Sequence, residues 1–327
     1  MKKITVIGTI NKDTIIFPDK TRGESFGGIL FNILALSYLG GRDVRIFPVC
    51  NLGYDVYDEV MEYLKKCKNV EISGIRKVNK KNNHAFLIYD EKNERKEVLR
   101  NSVPQISFSQ IEPFLKSDLL LVNLISGFDM SLDTLQKIRK NSNALVFMDL
   151  HSFLLGIREN GQRFFRASKD WRKWVGQADI LQMNFSELNV LAKNRLQSPN
   201  ITREFGNYIL GLGPKILLVT NGNKMSYCFH KINSVILYRR IGVPKIDKVV
   251  DVTGCGDIFS AGFIISYLGL ECIRLKRVPL VNLSASDKKV DAPKPKDVVK
   301  AFEYANFVAS QKCRFSGIEK LKFLLQY

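Results

Sequence analysis

The sequence predicts an α/β fold: a mostly parallel central sheet between two layers of helices, with a small separate β-sheet. Short apolar runs alternate along the chain with longer helical stretches, the pattern of strands joined by crossover helices. These runs are continuous rather than alternating, which is typical of strands buried on both faces of a parallel sheet. One segment near residue 90 instead resembles a hairpin, which favours a second sheet.

Length and composition are consistent with one large domain. The chain has 327 residues, which is long for one compact domain and short for two. Hydrophobic residues make up 45% of it, enough for a sizeable core. The six cysteines are scattered without a CxxC pair, so zinc and redox motifs are unsupported and reduced thiols are expected. We therefore predict a single domain over residues 1–327.

The N-terminal sequence predicts a cytoplasmic protein without a membrane partner. The apolar run ITVIG ends at Gly8, which is too short for a signal-peptide core or a membrane span.

The net charge of +18 has three interpretations. A lysine-rich surface is the one we favour, because charge governs solubility and steering rather than fold. Attraction of an anionic small substrate is compatible with it. Nucleic-acid binding is not expected, since no zinc-finger, RRM or helix-turn-helix signature is present.

Polar side chains follow several buried strands. The predicted strands are Ile4–Ile7, Leu119–Asn123, Ala144–Asp149, Ile180–Asn184 and Ile216–Thr220. Four end on a polar residue: Asn123, Asp149, Asn184 and Thr220. Any one of these could be a turn residue or helix cap. Together they favour a ligand site, because ligands of open α/β sheets bind beyond the carboxyl ends of the strands.

Two segments depart from the main pattern. His84–Arg100 reads as two strands around a polar turn, and with Asp13–Phe17 it predicts a small sheet. Such a sheet, built from about 11–20 and 84–101, would act as a lid. Ser152–Gln177 holds several arginines and both tryptophans, which favours an amphipathic surface helix; a wall of the substrate pocket is the alternative.

The run DVTGCGDIFSAGF, Asp251 to Phe263, predicts an anion site. Gly254 and Gly256 flank Cys255 and permit a tight turn whose backbone N–H groups point into open space. The apolar stretch that follows predicts a buried helix, so the turn lies at a helix N-terminus, where the dipole favours anions.

Asp257 lies at the mouth of this turn. Its carboxylate could accept a proton from a substrate hydroxyl while the N–H groups of Cys255, Gly256 and Asp257 stabilise a transferring phosphoryl group. A helix cap is an equally good interpretation of Asp257 from the short glycine motif alone.

The whole run resembles the second signature of PfkB, or ribokinase-like, carbohydrate kinases. It matches at Asp251, Gly254, Gly256, Asp257, Phe259, Ala261 and Gly262, and it has Cys255 where alanine is usual. The resemblance implies a Rossmann-like α/β/α domain with a β-sheet lid, Asp257 as catalytic base, and an anion hole at Gly254, Cys255 and Gly256.

Two N-terminal motifs resemble the acceptor site of the same family. GGILFN, from Gly27, is similar to the first signature and implies that Gly28 and Asn32 face the acceptor. IGTINKD is similar to the family's opening motif and implies that Asn11 and Asp13 bind paired hydroxyls. Asp149 is a further candidate for contact with the acceptor or the phosphates.

Three C-terminal motifs resemble the family's nucleotide site. Asn184 and Glu187 are similar to the N-x-x-E motif, which implies binding of ATP phosphates and of Mg²⁺, mainly through water. Thr220 and Gly222 match a nucleotide turn whose last glycine is here Met225, and Asn306 matches an asparagine near the adenine. A requirement for a monovalent cation is left open.

The resemblance covers nearly the whole chain and implies an ATP-dependent kinase of a small sugar-like substrate. A nucleoside kinase on the same fold and a catalytically silent sugar- or nucleotide-binding protein are the alternatives. Unpaired strand edges of the lid make a homodimer plausible.

Overall fold

A computed structural model of the chain describes residues 1–91, 95–270 and 297–325. Over these residues the strands, in chain order, are β1 (Lys2–Gly8), β2 (Ile10–Ile16), β3 (Arg22–Gly28), β4 (Val44–Gly53), β5 (Ile75–Val78), β6 (His84–Tyr89), β7 (Arg95–Arg100), β8 (Leu119–Asn123), β9 (Leu145–Asp149), β10 (Leu155–Ile157), β11 (Arg163–Phe165), β12 (Ile180–Asn184), β13 (Ile216–Thr220), β14 (Ser226–Ile232) and β15 (Val235–Ile241). The α-helices of the same ranges are α1 (Ile29–Gly40), α2 (Tyr57–Lys65), α3 (Phe108–Ile111), α4 (Leu132–Asn141), α5 (Trp171–Val175), α6 (Phe185–Leu191), α7 (Pro199–Gly211), α8 (Cys255–Tyr267) and α9 (Val298–Lys312).

The main sheet confirms the predicted α/β class. Its strand order is β15-β14-β13-β12-β9-β8-β1-β4-β5, parallel from β13 to β5 and antiparallel at β14 and β15. The predicted bounds of β8, β12 and β13 agree with the structure, and those of β1 and β9 differ by one or two residues. All five residues of β8 are buried, as expected for a strand covered on both faces.

One apolar cluster lies on each face of the main sheet, so the domain has three layers. Along β8, Leu119 and Leu121 belong to one cluster and Leu120 and Val122 to the other, because successive side chains point to opposite faces. Helices α1, α2, α8 and α9 supply the first cluster, and α4 to α7 supply the second.

Helices α1 and α8 are buried on nearly all sides. Their uniformly apolar sequences explain this position, since an exposed helix would need a polar face. On α8, Gly262 allows close approach of α9, because a Cβ at this position would lie 3.2 Å from the Cα of Ala305. This packing fixes the start of α8, which carries the glycine-rich turn.

A separate sheet of four strands has the order β3-β2-β6-β7. The β6–β7 hairpin is confirmed, and β2 pairs in parallel with β6. The strand predicted at Asp13–Phe17 begins three residues earlier, and β3 was not predicted, because RGESFGG combines charges and glycines that are poor strand signals. Residues 92–94 of the predicted turn lie outside the described residues.

The prediction of one amphipathic surface helix over Ser152–Gln177 is wrong. The segment contains the short strands β10 and β11 followed by the single-turn helix α5. Trp171 and Trp174 are buried in the second apolar cluster. Arg163 is also buried, where its guanidinium donates to the carbonyls of Ser126 at 2.9 Å and Ser152 at 3.1 Å.

Among the helices that the structure describes, none combines the length and apolar character needed to cross a bilayer. Cys50, Cys67, Cys228, Cys255 and Cys313 are free thiols, and Cys272 lies outside the described residues.

Candidate active site

The glycine-rich turn leads directly into α8. Gly254 is the residue before the helix and has φ +77°, a left-handed conformation that side chains disfavour. A Cβ at this position would lie 2.7 Å from the ring of Phe31. Asp251 holds the preceding residues in place by accepting a hydrogen bond from the N–H of Thr253 at 2.8 Å. Local strain and packing therefore both require glycine at position 254.

Two backbone N–H groups in the first turn of α8 are available to a ligand. The N–H of Cys255 donates to Val252 O at 3.2 Å, and that of Ile258 donates to Gly254 O at 2.9 Å. Within the described ranges, the N–H groups of Gly256 and Asp257 have no acceptor. The predicted donor at Cys255 is therefore corrected: its N–H is used inside the turn, and the anion site has two donors at the positive end of α8.

Asp257 is buried beside these donors. Its Oδ1 accepts a hydrogen bond of 2.8 Å from the Nδ2 of Asn123, at the carboxyl end of β8. Burial raises the pKa of Asp257 to about 7, although the bond from Asn123 opposes this. A carboxyl group with such a pKa can accept a proton near neutral pH.

Asn32 lies behind Asp257 rather than on the open side of the site. Its Nδ2 donates to the Asp257 carbonyl at 2.9 Å, and its Oδ1 accepts from Asn123 at 2.9 Å. The side chain is fully buried, so the expectation that Asn32 faces the acceptor is not met in this structure. These bonds instead fix both the backbone and the side chain of Asp257.

Gln182 is a site residue that the sequence did not reveal. Its Nε2 donates to Asp149 Oδ2 at 2.9 Å and to the Gly256 carbonyl at 3.0 Å. Ser260 in turn donates to Gln182 Oε1 at 2.9 Å. Gln182 thus connects Asp149, at the end of β9, to the glycine-rich turn. From the sequence, Gln182 could be recognised only as one position of a predicted buried strand.

Burial raises the pKa of Asp149 well above its usual value, and the negative charges of Glu187 and Asp257 raise it further. Three carboxyl groups therefore share one region of low polarity. Such a region favours a bound cation, since a positive charge would relieve both the burial of the carboxylates and their repulsion.

Asn184 and Glu187 form the N-terminal cap of α6. The Asn184 side chain accepts from the Glu187 N–H at 2.9 Å, and Glu187 Oε2 accepts from the Asn184 N–H at 2.8 Å. Burial raises the pKa of Glu187 to about 8, against these bonds and the charge of Arg95. A capping role is therefore present, yet a buried and charge-repelled carboxyl group exceeds what a cap needs.

Oxygen donors of this kind fit Mg²⁺, which takes few protein ligands and keeps several waters. Over residues 1–91, 95–270 and 297–325, no group of three His, Cys, Asp or Glu side chains is placed to hold a metal directly.

Asp13 points from the small sheet toward the same centre. A Cβ on Gly27 of β3 would collide with the Asp13 Oδ2, so Gly27 makes room for this carboxylate. Burial and the charge of Glu97 raise the pKa of Asp13 well above its usual value, Arg95 opposes them, and Asp257 and Asp251 add smaller increases. The sequence predicted Asp13 and missed the role of Gly27.

Asn11 and Gly28 flank this position. Asn11 is buried on β2, and its Oδ1 has no partner among the described residues. Gly28 has φ +66°, and a Cβ there would collide with Thr9 O. Gly28 is thus required by the turn from β3 into α1, whether or not a ligand approaches it.

Arg95, on β7 of the small sheet, brings a positive charge to the site. Burial, followed by the charges of Arg95 and Arg163, lowers the pKa of His151 to about 4. Arg95 also lowers the pKa of Asp13 and Glu187 against stronger opposing causes. The sequence gave no signal for Arg95, which is one of 50 lysines and arginines.

Of the predicted nucleotide residues, Thr220 lies beside Asn184 at the carboxyl ends of neighbouring strands, and Asn306 lies on a helix. Thr220 ends β13, and Gly222 follows with φ +56° and open space beside its Cα. Asn306 on α9 is buried and donates to the Gly242 carbonyl at 3.2 Å. Its side chain therefore supports the chain between β15 and α8 and does not face an open surface.

Comparison with known proteins identifies a family that matches most of the chain. The family model described as pfkB family carbohydrate kinase matches residues 1–319. A curated relative, cytidine kinase from Thermococcus kodakarensis, is 23% identical over 287 residues, covering 84% of this chain and 93% of its own.

Solved structures share the fold. Ribokinase from Giardia lamblia has a TM-score of 0.75 at 16% identity, covering 100% of this chain and 99% of its own. A pyrophosphate-dependent kinase of the ribokinase family has a TM-score of 0.74 at 19% identity, covering 98% and 99%.

Proposed function

Since this chain belongs to the pfkB family of carbohydrate kinases and is thus a phosphotransferase, we propose that it transfers the γ-phosphoryl group of ATP to a hydroxyl of a sugar-like acceptor. The observation that carries this proposal is the buried Asp257 carboxyl group beside the unpaired N–H groups of Gly256 and Asp257, at the N-terminus of α8. A base and an anion site at one point are what hydroxyl phosphorylation needs.

In the proposed mechanism Asp257 accepts the proton of the acceptor hydroxyl as the hydroxyl oxygen bonds to the γ-phosphorus, while the bond from that phosphorus to the bridging oxygen breaks and ADP leaves. The bond from Asn123 keeps one carboxylate oxygen in place, which leaves the other for the substrate. The N–H groups of Gly256 and Asp257 donate to the transferring phosphoryl oxygens, where negative charge must be stabilised. Gln182 holds the turn through the Gly256 carbonyl.

Bound Mg²⁺ would neutralise the donor phosphates. Glu187 and Asp149, whose pKa values burial raises, would hold the waters of such an ion. Asn184, Thr220 and Gly222 lie at or just after the ends of β12 and β13 and would contact the nucleotide.

The small sheet is proposed to act as the lid over the acceptor. Strand alternation and register place Asp13 on one face together with the buried apolar side chains of Ile15, Leu87 and Leu99. A carboxylate can accept hydrogen bonds from two vicinal hydroxyls, and closure would bring Arg95 toward the phosphates while excluding water.

A nucleoside is the second candidate acceptor. The apolar strip beside Asp13 matches a ligand that joins a hydroxyl-bearing ring to a flatter, less polar group. The cytidine kinase relative supports the same choice. A free sugar would use Asp13 and would not extend along the strip.

A panel of donors and acceptors tests the proposal. Sugars, polyols and nucleosides are each incubated with ATP or pyrophosphate and Mg²⁺, and the phosphorylated product is identified by mass spectrometry. We expect one acceptor class to gain a phosphoryl group from ATP. Tight ATP binding without transfer to any acceptor would favour a silent binding protein, and transfer from pyrophosphate alone would overturn the proposed donor.

Glu187→Gln is expected to weaken binding of the magnesium nucleotide by about 10- to 100-fold, the effect typical of residues that orient a metal's ligands. The α6 cap should persist, because glutamine also closes a capping box. Nucleotide titrations at several Mg²⁺ concentrations measure the effect. Glu204→Gln, at an exposed position of α7, is the matched control, and equal affinities in the two variants would remove Glu187 from the metal site.

The Glu187→Gln substitution should also change how the stability of the protein depends on pH. The pKa of Glu187 is raised to about 8 in the folded protein, so the native state holds a proton that the unfolded chain has lost. Its contribution to stability is complete at low pH and is lost as pH rises through about 8. Ligand-free Glu187→Gln should therefore lose less stability than the unsubstituted protein between mildly acidic and alkaline pH, as measured by melting temperature.

We also propose that two copies pair through the small sheet. Phe17, the residue after β2, is 43% exposed, and Ile16 and Ile88 are half-buried on the face opposite Asp13. Sedimentation at increasing concentration tests this, with Phe17→Ser expected to shift the equilibrium toward monomer.

A further inference from the structure

Lys312, at the last position of α9, is a fully buried lysine beside the glycine-rich turn. Its ammonium donates to Phe315 O at 3.1 Å and lies 3.4 Å from Asp251 Oδ2 and 3.5 Å from Asp251 O. The rings of Phe31 and Phe315 lie 5.7 and 5.6 Å from it. Burial of an ammonium group away from water costs free energy, so we expect a lysine at this position to have a structural or functional role.

The surroundings of Lys312 resemble a cation site. Two carbonyl oxygens and one carboxylate oxygen converge on the nitrogen, and two aromatic faces complete the shell. Oxygen donors of this kind bind hard metal cations, and aromatic faces attract ammonium groups. Burial raises the pKa of Asp251, but the charge of Lys312 and hydrogen bonds from Thr253 and Ser316 outweigh it and lower that pKa.

This cluster also contacts the chain segment that leads into the glycine-rich turn of the anion site. Asp251 accepts from Thr253 N, within the turn, at 2.8 Å, and the N–H of Val250 donates to Cys313 O, the residue after Lys312, at 2.7 Å. Phe31 contacts the Lys312 ammonium and also blocks any side chain at position 254. The end of α9 therefore braces the segment that leads into the turn.

We propose that the Lys312 ammonium is a built-in cation that fixes the glycine-rich turn in its anion-binding form, so that the chain needs no diffusible monovalent cation there. The proposal rests on the proposed kinase function and makes Lys312 a positioning residue that acts through Asp251. A monovalent cation, left open by the sequence, does not fit the same oxygens, because the ammonium already lies among them.

Loss of this charge should affect turnover more than nucleotide binding. In Lys312→Ala the half-buried Asp251 carboxylate loses its ion pair, and the turn loses its brace. We expect kcat to fall by about 10- to 100-fold, since displacement of catalytic groups by about 1 Å has effects of that size. The KM for the nucleotide should change less, because the residues at the ends of β12 and β13 are untouched.

The unsubstituted protein provides the first test. Turnover and melting temperature are measured in potassium, sodium and choline chloride at equal ionic strength, with reductant present because Cys255 and Cys313 Sγ lie 3.1 Å apart. The proposal expects the same values in all three salts. A saturable rise of either value with potassium would overturn it. The melting temperatures remain informative even if no acceptor is phosphorylated, which separates this inference from the proposed function.

Cation rescue provides the second test. In Lys312→Ala, potassium, ammonium or methylammonium should raise both kcat and the melting temperature, whereas choline, which is too large for the vacated space, should not. Lys300→Ala, at an exposed position of the same helix, is the matched control and should respond to none of them. Full activity of Lys312→Ala without added cation, or a loss that no small cation reverses, would refute the proposal.

Discussion

Asp257→Asn is expected to lower kcat by about 10²- to 10⁴-fold, the range that a general base contributes. Asparagine keeps the shape of the side chain and an oxygen that can accept from Asn123, but it cannot take the proton of the acceptor hydroxyl. Nucleotide affinity should change little, because the N–H groups of Gly256 and Asp257 belong to the backbone. Steady-state kinetics and calorimetric titration with ATP measure the two quantities separately.

Asp133→Asn is the control for this variant. Asp133 lies in the first turn of α4, and its exposed side chain pairs with Lys137 at the surface, at 2.8 Å. Its substitution should leave both kcat and ATP affinity unchanged. If Asp257→Asn retained most of its rate, the base would have to be another carboxylate, and Asp149 and Asp13 would be the ones to test next.

Gly254→Ala is expected to damage both stability and catalysis. The left-handed conformation costs alanine about 1–2 kcal/mol, and the contact of its Cβ with the Phe31 ring adds about 1–3 kcal/mol of overpacking. Relief of this strain would rotate the N–H groups at the start of α8 away from the phosphoryl group. Loss of an oxyanion donor typically costs about 10²- to 10³-fold in kcat. Urea denaturation and steady-state kinetics are the measurements.

Gly211→Ala is the matched substitution. Gly211 ends α7 with ordinary backbone geometry, and no atom lies within 4 Å of an added Cβ. Alanine should be neutral or slightly stabilising there, because it restricts the unfolded chain. Native stability and full turnover in Gly254→Ala would contradict the assigned strain and its link to the anion site.

The main sheet was predictable because its strands carry their own signal. ILLVT at β13 and LLLVN at β8 are apolar throughout, and burial on both faces of a parallel sheet requires that pattern. The small sheet was harder, since β3 has a charged and glycine-rich sequence that forms a strand only by pairing with β2. Its position depends on tertiary contacts rather than on local preference.

The site residues also differ in how far the sequence predicts their positions and contacts. The place of Asp257 at the start of a buried helix was predictable, because the glycine-rich motif and the helix lie in one chain segment. Asn32 and Asn306 were expected to face ligands, yet both amides bind backbone carbonyls, of Asp257 and Gly242. A sequence shows that an asparagine lies in an apolar helix, but not which distant carbonyl it will meet.

Lys312 and Arg95 show the same limit for charges. Lys312 ends a helix whose sequence predicts an ordinary basic C-terminus, and its ion pair depends on Asp251, 61 residues earlier. Arg95 lies on β7, and its charge acts on Asp13 and Glu187, which are distant from it in sequence. Neither position could be separated from the other basic residues until the elements were placed in space.

The pH dependence of kcat, measured for the unsubstituted protein and for Asp257→Asn at saturating magnesium nucleotide, tests the central claim most directly. Because burial raises the pKa of Asp257 to about 7, and the base acts when deprotonated, kcat should rise with pH and level off above that value. Below it, the rate should fall by about tenfold per pH unit. The residual rate of Asp257→Asn should lack this rise. A flat profile for the unsubstituted protein across neutral pH, or the same midpoint in both proteins, would contradict the assignment of Asp257 as the base.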